Sequence, residues 1–178
     1  MRQTFETARL ILKPIDQNDQ QFIYQQFSNE IINQYLFDAE PLVHESEALD
    51  IIQFYTETKP KYQERFIMQL KDALTPIGTL GYHALNQHAM TIDIGYDLNP
   101  NYWGHGYMRE ALSFLIDHMR HTFKGYHIHA CIYKDNIKSI AAVKHFGFTF
   151  EKDYDEIFRG KPYKHHIYRL DASKKVML

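Results

Sequence analysis

Residues 99–112, NPNYWGHGYMREAL, place glycines on either side of His105, after a proline and before an amphipathic run. In a helix glycine costs roughly 0.5–1 kcal/mol against alanine, so Gly104 and Gly106 mark backbone that must turn sharply or be approached closely. The preceding stretch, MTIDIGYDL (90–98), alternates as a strand does: Met90, Ile92, Ile94, Tyr96 and Leu98 share one face, Thr91, Asp93, Gly95 and Asp97 the other. After the glycines, Met108, Leu112, Leu115 or Ile116, Met119 and Phe123 form a helical stripe, with Gly125 where a C-terminal cap belongs. YHIHACIY (126–133) is another strand, so the unit reads as a right-handed crossover between parallel strands. Ligands of such sheets bind beyond the carboxyl ends of the strands, which is where this loop lies. The helix start offers unpaired N–H groups and a positive dipole end, a site for phosphate; plain turn chemistry is the other reading of the glycine pair. The G-x-x-x-x-G-K-[ST] loop is absent, and the third glycine of the dinucleotide fingerprint would fall at Arg109.

Working outward, ARLILKPI (8–15) predicts a first strand ended by Pro14. Phe22, Ile23 and Phe27 follow at helical spacing behind the capping candidates Asp16, Asn18 and Asp19. A second helix is expected over 46–55, with Glu47 in its first turn and Leu49, Ile52 and Tyr55 on one face. RFIMQL, PIGTLGYHAL and MTIDIGYDL, separated by KDALTP and NQH, predict an antiparallel meander. DNIKSIAAVKHFG (135–147) predicts a short helix capped by Asp135 or Asn136 and closed by Gly147. FTFEKDY and KHHIYRL finish the chain as a hairpin with a long connection that holds Asp155 and Glu156, and Asp153 is placed with them. The order β-α-α-β-β-β-α-β-α-β-β is a mixed α/β sandwich, expected to form one domain over residues 1–178.

The 178 residues are 44% apolar with a formal charge of −2, ordinary for a globular chain and without an electrostatic reason to expect nucleic acid or an anionic membrane surface as partner. No signal peptide is read at the start, no run of about 18 apolar residues occurs, and Cys131 is the lone cysteine. A cytoplasmic protein is expected. The eleven histidines lack any metal-ligand pattern: His127 and His129 share a strand face, and His118 and His121 a helix face, without supporting cysteine pairs. No metal is expected, and Cys131 is expected in the core.

IDIGYDLNPNYWGHGYMREAL resembles the acyl-CoA-binding motif of the GCN5-related N-acetyltransferases (GNAT), most closely the branch of Rim-type ribosomal-protein N-terminal acetyltransferases. That branch reads E-I-G-Y-x-L and then W-G-x-G-Y-x-x-E-A, matched here by Ile94, Gly95, Tyr96, Leu98, Trp103, Gly104, Gly106, Tyr107, Glu110 and Ala111. Downstream, Asn136, Ser139, Gly147 and Phe148 match its N-x-x-S and G-F; upstream, TARLILKP resembles T-x-R-L-x-L-R-P, and the terminal IYRL fits as well. The resemblance implies a mostly antiparallel sheet with a splayed parallel central pair and helices on both faces. It implies acetyl transfer from acetyl-CoA to a primary amine by direct attack in a ternary complex, the amine being a protein N-terminus or a small molecule, and the protein a monomer or homodimer.

The implied cofactor contacts are the backbone of Gly104, His105, Gly106 and Tyr107 for the pyrophosphate, and Leu98 and Asn136 for the pantetheine arm. Leu98 N–H would also polarise the thioester carbonyl. Asp93 is the candidate base, with a solvated strand carboxylate as the alternative, and Asn136 reads equally as a helix N-cap. Ser139 would serve the leaving thiolate, with Tyr133 in reserve. Three positions depart from the family pattern: Asn101 replaces Gln or Arg, Asp93 replaces Glu, and Val143 occupies the turn where many relatives carry a tyrosine acid. The last two keep a second class open, an acyl-CoA-binding module without chemistry, and preference for ATP over CoA would point to a third, a nucleotide-binding protein.

Overall fold

Alternation along the strands sorts side chains onto two faces, and each face recruits its own helices. The computed structural model describes residues 3–57 and 62–171. Eight strands form one sheet in the order β1-β2-β3-β4-β5-β6-β8-β7. They are β1 (Phe5–Glu6), β2 (Leu10–Pro14), β3 (Glu64–Leu70), β4 (Pro76–Asn86), β5 (Thr91–Leu98), β6 (His127–Tyr133), β7 (Thr149–Phe158) and β8 (Lys161–Asp171). Every pairing is antiparallel except β5 with β6, which the long helix α4 (Tyr107–Thr122) connects.

On one face α4 and α5 (Ile137–His145) bury Leu112, Leu115, Ile116, Met119, Ile140 and Val143 against Leu12, Phe66, Leu80, Ile92, Ile94, Ile128 and Ala130. On the other, α1 (Gln20–Phe27) and α3 (Ala48–Thr56) pack Ile23, Ala48, Ile52 and Tyr55 against Ile15 and Ile67. The second pair packs over β3 and the end of β2, and Gln26 of α1 reaches Asp97 on β5. The expected mixed sheet with helices on both faces is thus present.

The local signals act where they were read. Asp16 and Asp19 form a reciprocal capping box at the turn before α1. Asn136 caps α5 by accepting from Ser139 N–H (3.2 Å). Gly147 closes that helix with φ +84°: its N–H donates to Lys144 O (3.0 Å) and the Phe148 N–H to Val143 O (3.3 Å), the paired bonds of a Schellman motif.

Three expectations fail, each for a physical reason. The last hairpin turns through Arg159 and Gly160 alone, both at positive φ, so Asp153, Asp155 and Glu156 lie on β7 and not in a connection. Strand β7 sits at the sheet edge, exposed along most of its length, and so carries little apolar alternation. Cys131 is exposed, because Ile128, Ala130 and Ile132 take the buried face of β6. Leu49 is also exposed, since Ala48, Ile52 and Tyr55 form the inward stripe of α3. The two-residue β1 and the one-turn α2 (Glu30–Asn33) were too short to leave a periodic signal.

Glycines in β4 answer to crowding. A Cβ on Gly81 would lie 2.0 Å from Glu64 O, and one on Gly78 2.3 Å from Asp97 O. Gly81→Ala should therefore lower the urea midpoint by the equivalent of about 1–3 kcal/mol, the usual cost of overpacking. Gly160→Ala, where a Cβ meets nothing within 4 Å, should cost less despite its φ of +71°. An unchanged midpoint for Gly81→Ala would contradict this packing.

Candidate active site between the parted strands

The parallel pair β5–β6 is in register only at Thr91↔His127, Ile92↔Ile128 and Asp93↔His129. Beyond Asp93 the two strands part, β5 staying zipped to β4 as far as Leu98 and β6 to β8 as far as Tyr133. The Asn99 N–H donates to Ile77 O across to β4 (2.8 Å). By strand alternation, the amides of Tyr96 and Leu98 point the other way, into the opening. Leu98 O is taken by the Trp103 indole N–H (2.8 Å), which ties the following loop to the strand end, and Lys138 Nζ sits 4.0 Å over the indole ring.

That loop carries both predicted glycines in the left-handed region, Gly104 at φ +79° and Gly106 at φ +81°. Gly106 is the N-cap of α4, and no side chain caps this end. The N–H groups of Gly104, His105, Gly106, Tyr107 and Met108 find no acceptor among the described residues. A Cβ on Gly104 would meet nothing within 4 Å. The result is an open nest of donors at the positive end of a sixteen-residue helix.

On the helix side of the opening, Ser139 Oγ lies 2.7 Å from the Tyr96 hydroxyl, which also donates to Ser139 O (3.2 Å). Burial pushes the Tyr96 phenol up to about 12, so it stays protonated at neutral pH. Tyr133 is not part of this pair. It lies on the other sheet face among Phe37, Tyr163, Tyr35 and His165.

The sheet face away from α4 and α5 holds Asp93, 30% exposed. Burial raises its carboxyl to about 6. His83 faces it across β4, and His129 on β6 brings Nδ1 to 3.9 Å of Asp93 Oδ1. Burial foremost lowers both imidazoles, so neither supplies a cation to hold the carboxylate charged. His129 Nε2 is 3.3 Å from Glu151 Oε2 but not aligned as a hydrogen bond, and His83 Nδ1 is buried without a partner among the described residues. Cys131 is on the same face. Loss of water first, then the carboxylates of Asp93, Glu156 and Asp38, push its thiol up to about 11, where it is a poor nucleophile.

Asp97, four residues beyond Asp93 on the same face, is spent on structure. Its carboxylate accepts from Arg65 Nη2 (2.5 Å), Gln26 Nε2 (2.6 Å) and Thr79 N–H (3.2 Å), while Arg65 Nε donates to Thr79 Oγ1 (2.7 Å). Burial opposes the charge on Arg65, yet Tyr55 and Asp97 hold its pKa above the ordinary value. Gly95 is bare to make room for this pair: a Cβ there would lie 3.0 Å from Arg65 Nη1 and 3.2 Å from His83 Cε1. Among the described residues no three His, Cys, Asp or Glu side chains gather to hold a metal, and no helix is long and apolar enough to cross a membrane.

The structure therefore brings together two sets of the predicted residues, Ser139 with its cap Asn136 on one side and Leu98 with the 104–107 loop at the mouth. Asp93 lies across the sheet from the first set. Sequence reasoning missed Tyr96, His83 and His129. A tyrosine on an otherwise aliphatic strand face was the available signal for the first; the cross-strand register that brings in the histidines left none.

Known proteins agree with this architecture. A family model described as an acetyltransferase (GNAT) domain matches residues 9–149. The chain is 29% identical over 171 residues to the uncharacterized N-acetyltransferase YoaA of Bacillus subtilis, covering 93% of this chain and 94% of that one. It is 30% identical over 158 residues to the uncharacterized N-acetyltransferase p20 of Bacillus licheniformis, with 86% and 88% covered. Among solved structures, RimL, a ribosomal L7/L12 alpha-N-protein acetyltransferase in complex with coenzyme A, superposes with a TM-score of 0.84 at 19% identity, covering 95% of this chain and 98% of RimL. Spermidine N-acetyltransferase from Vibrio cholerae, in complex with CoA and spermine, does so with a TM-score of 0.81 at 20% identity, covering 94% and 98%. At these identities the structural likeness is one of fold. With the family model spanning most of its length, the chain belongs to the GNAT acetyltransferases.

Proposed function

We propose that this acetyltransferase uses acetyl-CoA and acetylates a primary amine, by direct attack with both substrates bound, as one domain over residues 1–178. The observation that carries the reading is the parting of β5 from β6 beside an uncapped helix start. The residues fit the cofactor: free N–H groups and a positive helix end suit a pyrophosphate, and the unpaired amides of Tyr96 and Leu98 suit an extended amide-bearing arm. Gly104, His105, Gly106 and Tyr107 hold the anion through their backbone, while Leu98 and Asn136 hold the pantetheine arm. Bound acetyl-CoA supplies the activated acetyl group. RimL and the spermidine enzyme, both in complex with CoA, support this choice.

Acetyl transfer needs a neutral amine. An N-terminal amine with a pKa of about 8 is roughly one-tenth neutral at pH 7, and a lysine-like amine far less. Asp93 takes the proton. Held at about 6, it is mostly ionised at pH 7 yet more basic than an exposed aspartate, which suits a general base. Its negative charge, flanked by neutral imidazoles, also favours a cationic amine. Leu98 N–H polarises the reacting carbonyl. Ser139 donates to the sulfur as the C–S bond breaks, and Tyr96, whose hydroxyl lies 2.7 Å from Ser139 Oγ, holds that hydroxyl in place beside the opening. The acceptor class, N-terminal peptide or small-molecule amine, is decided by a panel of both kinds assayed for acetyl-CoA-dependent CoA release. An active panel member supports the reading; a panel on which no thioester is consumed contradicts it.

Asp93→Asn should lower turnover by about a hundredfold or more near pH 7, while acetyl-CoA affinity stays nearly intact. The wild-type kcat/KM should rise through a limb near pH 6 that the variant lacks. Stability gives an independent check. The folded pKa lies above the unfolded one, so Asp93 costs nothing below about pH 4 and its full penalty above about pH 6. Asp93→Asn should therefore stabilise the fold by of order 1–3 kcal/mol at pH 7, a gain that fades as the pH falls to 4. Wild-type turnover in Asp93→Asn from pH 6 to 9 would return Asp93 to a plain strand carboxylate.

Ser139→Ala should lower turnover about tenfold to a hundredfold without raising the KM for acetyl-CoA, because a bond to a developing charge strengthens only in the transition state. Tyr96→Phe should act in the same direction and Tyr133→Phe should be nearly silent. Loss of turnover in Tyr133→Phe with a silent Ser139→Ala would reverse the assignment.

A further inference from the structure

Two of the matched motifs lie a hundred residues apart in the chain, and the structure joins them. Thr7 and Arg9 come from the start, just before β2; Glu110 comes from the first turn of α4. The Thr7 hydroxyl donates to Glu110 Oε1 (2.5 Å), Arg9 N–H to the same oxygen (2.7 Å) and Arg9 Nε to Glu110 Oε2 (2.7 Å). The guanidinium then reaches past the carboxylate. Its Nη1 donates to His105 O (2.9 Å), between the two left-handed glycines, and its centre lies 4.5 Å over the Tyr107 ring. Its Nη2 is 3.5 Å from where a Cβ on Gly106 would stand. One planar fork thus touches Glu110, His105 and Tyr107, a span that a lysine ammonium cannot reproduce.

We propose that Arg9 straps the 104–107 loop into its anion-receiving shape and is a positioning residue for acetyl-CoA; this rests on reading that loop as the cofactor's phosphate site. Two physical effects combine. Glycine-rich backbone has many accessible conformations, and the bond to His105 O selects the one in which the N–H groups converge. Glu110 would otherwise set an unpaired negative charge beside the incoming phosphates. Burial works against its ionisation, but the bonds from Thr7 and Arg9 hold its carboxyl below the usual range, so it is charged at neutral pH and Arg9 cancels it. Both effects act on binding and neither touches the reacting atoms.

The test is acetyl-CoA affinity by calorimetry, set beside kcat at saturating acetyl-CoA. Arg9→Gln should weaken binding about tenfold or more and leave kcat within about twofold, since the lost bonds are charge-assisted but remote from the chemistry. Arg9→Lys should recover only part of the loss. Millimolar guanidinium, but not the same concentration of sodium chloride, should restore affinity to Arg9→Ala, a rescue that a general stability role would not show. In Arg9→Gln, adding Glu110→Gln should tighten binding again by removing the uncancelled charge. Gly106→Val separates the two levels of the argument. If it leaves affinity unchanged in a folded protein, the phosphate reading of the loop fails, and the strap with it. If Gly106→Val weakens binding while Arg9→Gln, or Arg9→Lys should the first not fold, binds like wild type, the strap alone is overturned.

Discussion

The structure depends on a hydrogen-bond ladder that stops. Two parallel strands pair for three residues and then separate, although each remains bonded to its outer neighbour. Parting leaves backbone amides on β5 without partners, and unpaired backbone is costly wherever water is excluded. The fold tolerates it because β4 and β8 hold the two strands from outside, and because α4 and α5 pack a continuous apolar layer across one face. The opening is thus a property of the sheet, and the loop that leaves β5 is delivered to its mouth by covalent continuity.

Around that opening the chemistry divides by face. The side that carries α4 and α5 offers N–H groups, a dipole and a hydroxyl pair, all suited to an anionic, thioester-bearing ligand. The other side offers a carboxylate with no cation of its own. Asp97, which does have one, shows the contrast: the same residue type on the same strand face, buried with Arg65, Thr79 and Gln26, serves as structure. Asp93 is held in a costly ionised state between imidazoles that burial keeps neutral, a common relation between function and stability. An ammonium substrate would repay part of that cost on binding.

How much of this was legible depends on how local the cause was. The helix caps were readable because Asn136 and Gly147 act within a turn of where they stand. The β5–loop–α4 unit was readable because period two changes to period 3.6 across two glycines. The last hairpin misled because β7 sits at an edge and buries almost nothing, so its residues alternate in no way that burial requires. Cys131 misled because an apolar neighbourhood in sequence does not say which face of a strand a residue takes. The partners of Asp93 were out of reach, because His83 and His129 arrive by cross-strand register, and the contact of Tyr96 with Ser139 is made only by tertiary packing. Arg9 and Glu110 could be matched to motifs, but their contact across a hundred residues exists only in the fold.

The central claim is that the parted strands and the glycine loop form one cofactor cradle. Backbone amide resonances followed by NMR during an acetyl-CoA titration test it most directly. The account predicts that the amides of Gly104, His105, Gly106 and Tyr107, together with Leu98, shift in concert at a single binding isotherm, while those along the β7 edge stay in place. Saturable binding that leaves these five amides unmoved and shifts another surface would contradict it.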